Sequence, residues 1–278
     1  MKVKEILILL GFLLGICMMG YAYGQIAETN QTRREGDAAY KELSGKVKKQ
    51  AADNTPFPHV SKADEQNQNV NTGRQEEAAG EEAPTNRKVS VPDIGISFEL
   101  LKTVSADAVA WLYCPDTLID YPVMKADDYA YYLSHLPDGT PNANGSLFVD
   151  FNNTPDFSDS LTIIYGHNMK SKMMFGSLAQ YKSQEYYDEH PCMYLYTQEA
   201  NYRIELLYGC VIGAGQWRER SFMYKENAGA LLAYAAHNTT FDSRAAYLKG
   251  DRIVAMSTCS YEFEDARYVV VGILRGED

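Results

Sequence analysis

The chain opens on an uninterrupted apolar stretch, residues 6–23, flanked on its N-terminal side by Lys2 and Lys4. Its length is close to the roughly 20 residues a helix needs to cross a bilayer, and the preceding lysines favour a cytoplasmic N-terminus. The pattern predicts a signal-anchor transmembrane helix over residues 1–24. A cleaved signal peptide ending near Ala22-Tyr23-Gly24 is the alternative. Residues 25–90 then lose almost all apolar character, with Tyr40 and Phe57 as the only aromatics. Such a segment buries too little to fold alone and is expected to be a polar extracellular spacer, partly helical or disordered. Residues 37–52 hold helix formers, and a helix docked on the domain is the alternative there to a solvated tether.

From residue 91 to 278 the pattern becomes that of a folded domain, with many short apolar runs broken by turn residues. Ser105-Ala106-Asp107-Ala108-Val109 reads as the start of a capped short helix. Trp111-Leu112-Tyr113 and the run from Leu118 to Met124 read as two strands around a Cys114-Pro115-Asp116 turn. Helices are predicted over residues 127–135, 173–181 and 225–238, and a loop over 136–145. Further strands fall at 146–150, 161–165, 193–197, 202–212, 252–256 and 268–274. Many short strands with few helices argue for a mainly β closed barrel over a layered α/β sheet.

Charge and cysteines narrow the possible functions. A net charge of −11 argues against nucleic acid as the main partner, because phosphate binding needs a concentrated basic face and none is visible in the sequence. The five cysteines, Cys17, Cys114, Cys192, Cys210 and Cys259, are scattered and show no Cys-x-x-Cys pair, so neither a disulfide framework nor a closed zinc site is expected. Asp150, Asp156 and Asp159 could be drawn together as carboxylates, but acids clustered in a loop are ordinarily solvated. No cofactor and no metal are expected.

One cysteine sits differently. Ser257-Thr258-Cys259-Ser260 closes the apolar run Arg252-Ile253-Val254-Ala255-Met256, and Arg267 opens the next, Tyr268-Val269-Val270-Val271-Gly272-Ile273-Leu274. A thiol at one strand end with a guanidinium at the start of the next could hold a thiolate beside a fixed positive charge. The histidine in a comparable setting is His167, where Leu161-Thr162-Ile163-Ile164-Tyr165 gives way to Gly166-His167-Asn168-Met169. Taken singly, His167 is a turn histidine, Cys259 a small buried apolar residue, and Arg267 a partner for Glu262, Glu264 or Asp265. Together they form a constellation. His59, His135, His190 and His237 have no cysteine partner in view and are assigned no role.

Ile164-Tyr165-Gly166-His167-Asn168-Met169, then Ser257-Thr258-Cys259, then Arg267 resembles the sortase family, the cysteine transpeptidases of Gram-positive cell surfaces. Trp111, Ile119-Asp120-Tyr121-Pro122-Val123, Gly145-Ser146-Leu147-Phe148-Val149-Asp150, Met174-Phe175 and His190-Pro191 extend the resemblance over roughly residues 95–275. The helix over 225–238, inserted before the cysteine strand, is similar to class B. The resemblance implies a closed barrel of about eight strands and assigns His167, Cys259 and Arg267 as catalytic. Ser257 and Thr258 could donate to the substrate or polarise the thiol and are candidate substrate contacts, although a Ser-Thr pair at a strand end is usually satisfied locally. The acidic segment between Cys259 and Arg267 leaves the conformation of that loop open.

The implied reaction, of the cysteine-peptidase type, is cleavage of an Asn-Pro-x-Thr-like C-terminal sorting signal after Thr, with subsequent transfer of the acyl group. The implied partners are surface proteins bearing such a signal, a peptidoglycan amine in the cell wall, and the membrane through the N-terminal helix. The implied location is the cell membrane, single-pass, with the catalytic domain outside. Three alternatives stay open: a pilin-polymerising enzyme using a protein lysine, a secreted cysteine peptidase that hydrolyses its acyl-enzyme, and a tethered wall-binding module with an inert Cys259.

Overall fold

The computed structural model describes residues 3–48, 89–219 and 228–277, with side chains from Leu14 onward. Helix α1 (Val3–Val47) carries the apolar run and continues into the polar stretch. Among the described residues no helix is long and apolar enough to cross a membrane. The side chains of the first half of the run, like residues 49–88 of the spacer, lie outside the described residues.

The C-terminal part of α1 is docked on the domain. Tyr40, Leu43 and Val47 are spaced to share one helical face and are buried. The contact is also polar: Tyr40 Oη donates to Gly145 O at 2.6 Å, and Asn144 Nδ2 donates to Arg33 O at 3.0 Å and to Asp37 Oδ1 at 2.8 Å. Lys48, just past the helix, pairs with Asp120 at 2.6 Å and lies 5.5 Å over the Trp111 ring. Residues 37–47 are therefore not a solvated tether.

Helix α2 (Phe98–Val104) precedes the first strand and corrects the expected helix start at Ser105. Ser97 is the N-cap, accepting from Leu100 N at 3.3 Å, while Ser105 caps the C-terminus with its backbone N–H. Both serines can cap a helix, and the apolar spacing downstream of each decides between them. Leu101 after Ser97 is buried at helical spacing, whereas Ala108-Val109-Ala110-Trp111 after Ser105 joins a strand.

The strands are β1 (Ala108–Tyr113), β2 (Asp120–Lys125), β3 (Leu147–Val149), β4 (Leu161–Tyr165), β5 (Cys192–Tyr196), β6 (Asn201–Gly213), β7 (Arg252–Cys259) and β8 (Ala266–Gly276). They close into a barrel in the order β1-β2-β3-β4-β7-β8-β6-β5, with β5 pairing back onto β1. The pairs β2/β3 and β4/β7 are parallel and the rest antiparallel. The expected eight-stranded barrel is the fold found.

Two of the expected helices shrink. Residues 127–135 yield only the 3₁₀ turn Tyr131–Leu133, and 173–181 yields the 3₁₀ turn Leu178–Lys182. Asp128 takes the backbone N–H of Ala130 and Tyr131 at 2.8 Å each, tightening the chain into a turn that does not propagate. Short helices α3 (Gln184–Glu189) and α4 (Ala214–Arg218) come next. Helix α5 (Ala228–His237) lies before β7, as its pattern predicted, within the expected 225–238.

Strand alternation sorts the core. On β7, Val254 and Met256 face the barrel interior with Ile164, Val270 and Ile204. Ile253 and Ala255 face outward with Ile163, Val269 and Val271, and α5 covers them with Leu231, Leu232 and Ala235. Burying each leucine there contributes about 1.5–3 kcal/mol.

Candidate active site

The side-chain period of two carries the outward face of β7 through Ile253, Ala255 and Ser257 to Cys259. On β8 the same parity runs back from Val271 and Val269 to Arg267. Cys259 and Arg267 are direct cross-strand partners, so their side chains rise side by side. On β4, Ile163 and Tyr165 share the outward face. Tyr165 is paired with Ser257, and Gly166 N donates to Ser257 O at 3.2 Å, so the parallel register carried forward sets His167 alongside Cys259. All three side chains are half-buried, beyond the apolar patch that α5 covers.

His167 Nε2 lies 2.7 Å from Leu133 O. A carbonyl can only accept, so Nε2 carries the hydrogen and the Nδ1 lone pair of the neutral ring is free to take a proton. Gly145 backs this carbonyl. At φ +58° a Cβ there would come within 2.6 Å of Tyr132 O and 2.8 Å of Leu133 O, so only glycine lets this loop approach the 3₁₀ turn Tyr131–Leu133. Gly166 is constrained too, since a Cβ would lie 2.4 Å from Leu147 Cδ2.

Asn168 Nδ2 donates to Cys259 O at 2.7 Å, tying the histidine loop to the cysteine residue itself. Sequence reasoning gave Asn168 no role, although its place in the Gly-His-Asn turn was a usable signal. The Leu133 carbonyl left none, because a backbone acceptor has no residue type.

Arg267 Nη1 donates to Ala266 O at 3.0 Å. Among the described residues Arg267 makes no ion pair with Glu262, Glu264 or Asp265. Among the described residues neither Nε nor Nη2 makes a hydrogen bond, which leaves donors of the guanidinium unused by the fold. Ser257 and Thr258 are each only 2 % exposed. Thr258 Oγ1 donates to Gly166 O at 2.8 Å, joining β7 to the histidine loop, and Ser257 Oγ is buried without a hydrogen bond. Their hydroxyls are built into the wall of the site.

The loop left open by the sequence is held by Glu262, which pairs with Lys182 and with Ser260 Oγ. Burial would raise the Glu262 carboxyl, but the hydrogen bonds from Lys182 and Ser260 outweigh it and hold the group below its ordinary range.

The acids read as solvated are not all so. Asp150 is fully buried and accepts from Tyr165 Oη at 2.9 Å and Tyr129 Oη at 3.0 Å. Asp159 accepts from Asn153 Nδ2 and Thr154 N at 2.8 Å each. These carboxylates organise the β3–β4 loop. Among the described residues no group of three His, Cys, Asp or Glu side chains could hold a metal ion.

The cysteines are free, with Cys114 and Cys210 buried and Cys259 half-buried. Burial pushes the Cys114 thiol up to about 11 and that of Cys210 up to about 12, which makes both poor nucleophiles at neutral pH.

No family model matches the chain. A Sortase B from Listeria monocytogenes is 33 % identical over 178 residues, covering 63 % of this chain and 72 % of the relative. The Clostridium perfringens Sortase B structure matches at TM-score 0.58 and 28 % identity, over 64 % of this chain and 99 % of that one. A sortase B structure from B. anthracis matches at TM-score 0.59 and 28 % identity, over 65 % and 83 %. With that identity and coverage of the Listeria relative, and the barrel shared with the solved structures, the chain belongs to the sortase B family of cysteine transpeptidases.

Proposed function

We propose that this chain cleaves a C-terminal sorting signal of the Asn-Pro-x-Thr type after Thr and transfers the acyl group to a peptidoglycan amine. The carrying observation is the direct cross-strand pairing of Cys259 with Arg267 at the strand ends where the parallel neighbour delivers His167. Cys259 gives its proton to His167, and the thiolate attacks the Thr carbonyl carbon. The C–N bond breaks, the amine leaves with the proton from His167, and a thioester remains on Cys259. An incoming amine attacks that thioester, its proton passes to His167, and the thiolate departs. Arg267 donates to the oxyanion of both tetrahedral states. The apolar run 6–23 anchors the chain in the cell membrane with the domain outside, a reading supported by its length and by Lys2 and Lys4.

The test is product analysis by mass spectrometry of the full chain, incubated with Asn-Pro-x-Thr peptides with and without a peptidoglycan-type amine, beside Cys259→Ala. The expected outcome is a ligated product that needs both Cys259 and the amine. Free acid alone would mean a hydrolase, ligation only to a protein lysine would mean a pilin-type acceptor, and no Cys259-dependent cleavage would end the enzymatic reading.

A further inference from the structure

The six residues between Cys259 and Ala266 join the nucleophile strand to the arginine strand, and their backbone bonds gather at one end. Ser260 N donates to Ala266 O at 2.9 Å, Ala266 N to Phe263 O at 3.3 Å, and Ala214 N to Asp265 O at 2.8 Å. Tyr261 is 80 % exposed and Phe263 51 %. The middle of the loop is held by side chains instead. Lys182, at the end of the 3₁₀ turn Leu178–Lys182, pairs with Glu262 and reaches Ser260 Oγ at 3.2 Å. The same ammonium lies 5.0 Å over the Tyr268 ring. Ser260 is the residue after Cys259, and Tyr268 is the residue after Arg267. One cation therefore grips both strand ends just past the groups that would do the chemistry.

As an energetic contact the pair is minor. Its side chains are 33 % and 37 % exposed, and surface pairs contribute about 0–1 kcal/mol. Its value is geometric, because small displacements of reacting groups are costly in rate.

We propose that Lys182 is a positioning residue of the transfer reaction: by linking Ser260 and Glu262 to the Tyr268 ring it fixes the Cys259 thiol relative to the Arg267 guanidinium. The inference rests on the function proposed above, because it takes Cys259 and Arg267 as the working pair. Lys182 acts through that pair and touches no substrate.

The experiment compares the full chain with Lys182→Met, Glu262→Gln and the exchange Lys182→Glu/Glu262→Lys, reading kcat and KM for ligation, the melting temperature, and amide hydrogen exchange at Ser260 and Ala266. Lys182→Met should exchange faster at those amides and lose about tenfold in kcat, with KM and melting temperature nearly unchanged. The charge exchange should restore part of the loss. Unchanged exchange overturns the clamp, and faster exchange with unchanged kcat overturns the positioning role. A kcat loss that tracks a fallen melting temperature also overturns it, reducing Lys182 to a stabilising contact. If the unmutated chain forms no Cys259-dependent product, the proposed function fails and the positioning role with it, while the exchange data still report on the clamp.

Discussion

Arg267 is placed to answer the sharpest question about single side chains, because its strand fixes it beside Cys259 while only Nη1 is held by backbone carbonyls. Removing a donor to the developing oxyanion costs at least about a hundredfold in kcat. Arg267→Ala should show that loss, and Arg267→Lys should recover little, because an ammonium keeps the charge but not the planar fork. Steady-state ligation rates check both; a lysine variant close to the parent would reduce Arg267 to a point charge. His167, Cys259 and Arg267 were legible in the sequence because each interrupts an apolar run where a strand ends. Lys182 was not: it lies 78 positions from the serine it reaches, and a lysine on a short polar stretch looks like any solvated one. The Leu133 carbonyl that sets the His167 tautomer was equally invisible.

The element that behaves least as its composition suggests is α1. Its last turns pack three large side chains, Tyr40, Leu43 and Val47, and otherwise bond the domain through polar groups. Tyr40 Oη donates to Gly145 O, and Gly145 backs the Leu133 carbonyl that accepts from His167. Tyr40→Phe should cost about 1–2 kcal/mol, since it leaves a buried carbonyl without its donor. Calorimetry should show a melting temperature lower by a few degrees; an unchanged value would mean that water replaces the hydroxyl. The barrel strands were readable from apolar runs between turn residues. The helix over 225–238 was readable from its spacing. The docked part of α1 was not, because three apolar positions within a polar stretch are too few to show which surface awaits them. The expected helix over 127–135 failed for the complementary reason that Asp128 takes backbone donors locally, and that over 173–181 because Met174 sits at φ +52° and Phe175 N bonds back to His167 O at 3.0 Å.

Across the whole molecule, the abundance of tyrosine becomes a matter of stability against alkali. Burial first, then neighbouring acids or thiols, push Tyr186 and Tyr194 up to about 12, and burial does the same for Tyr121. The folded chain thus holds these protons more tightly than the unfolded one, whose tyrosines titrate near 10. The corresponding stability is whole below about pH 10 and is lost as the pH rises toward 12. The share of tyrosinate absorbance due to these sheltered phenols should therefore appear together with the collapse of far-ultraviolet circular dichroism in that window. Ionisation complete near pH 10 in a chain with an intact spectrum would contradict the burial described. Parallel pairing of β4 with β7 has a separate consequence, one of timing. Asn168 and the cysteine whose carbonyl it holds lie 91 positions apart, yet their strands are hydrogen-bonded neighbours. A chain emerging from its N-terminus has His167 in hand long before the strand that bears the thiol, and so distant a pairing closes slowly. Cys259 meets His167 only after β7 has been made and paired with β4, so under the function proposed above a partly made chain would carry no working nucleophile.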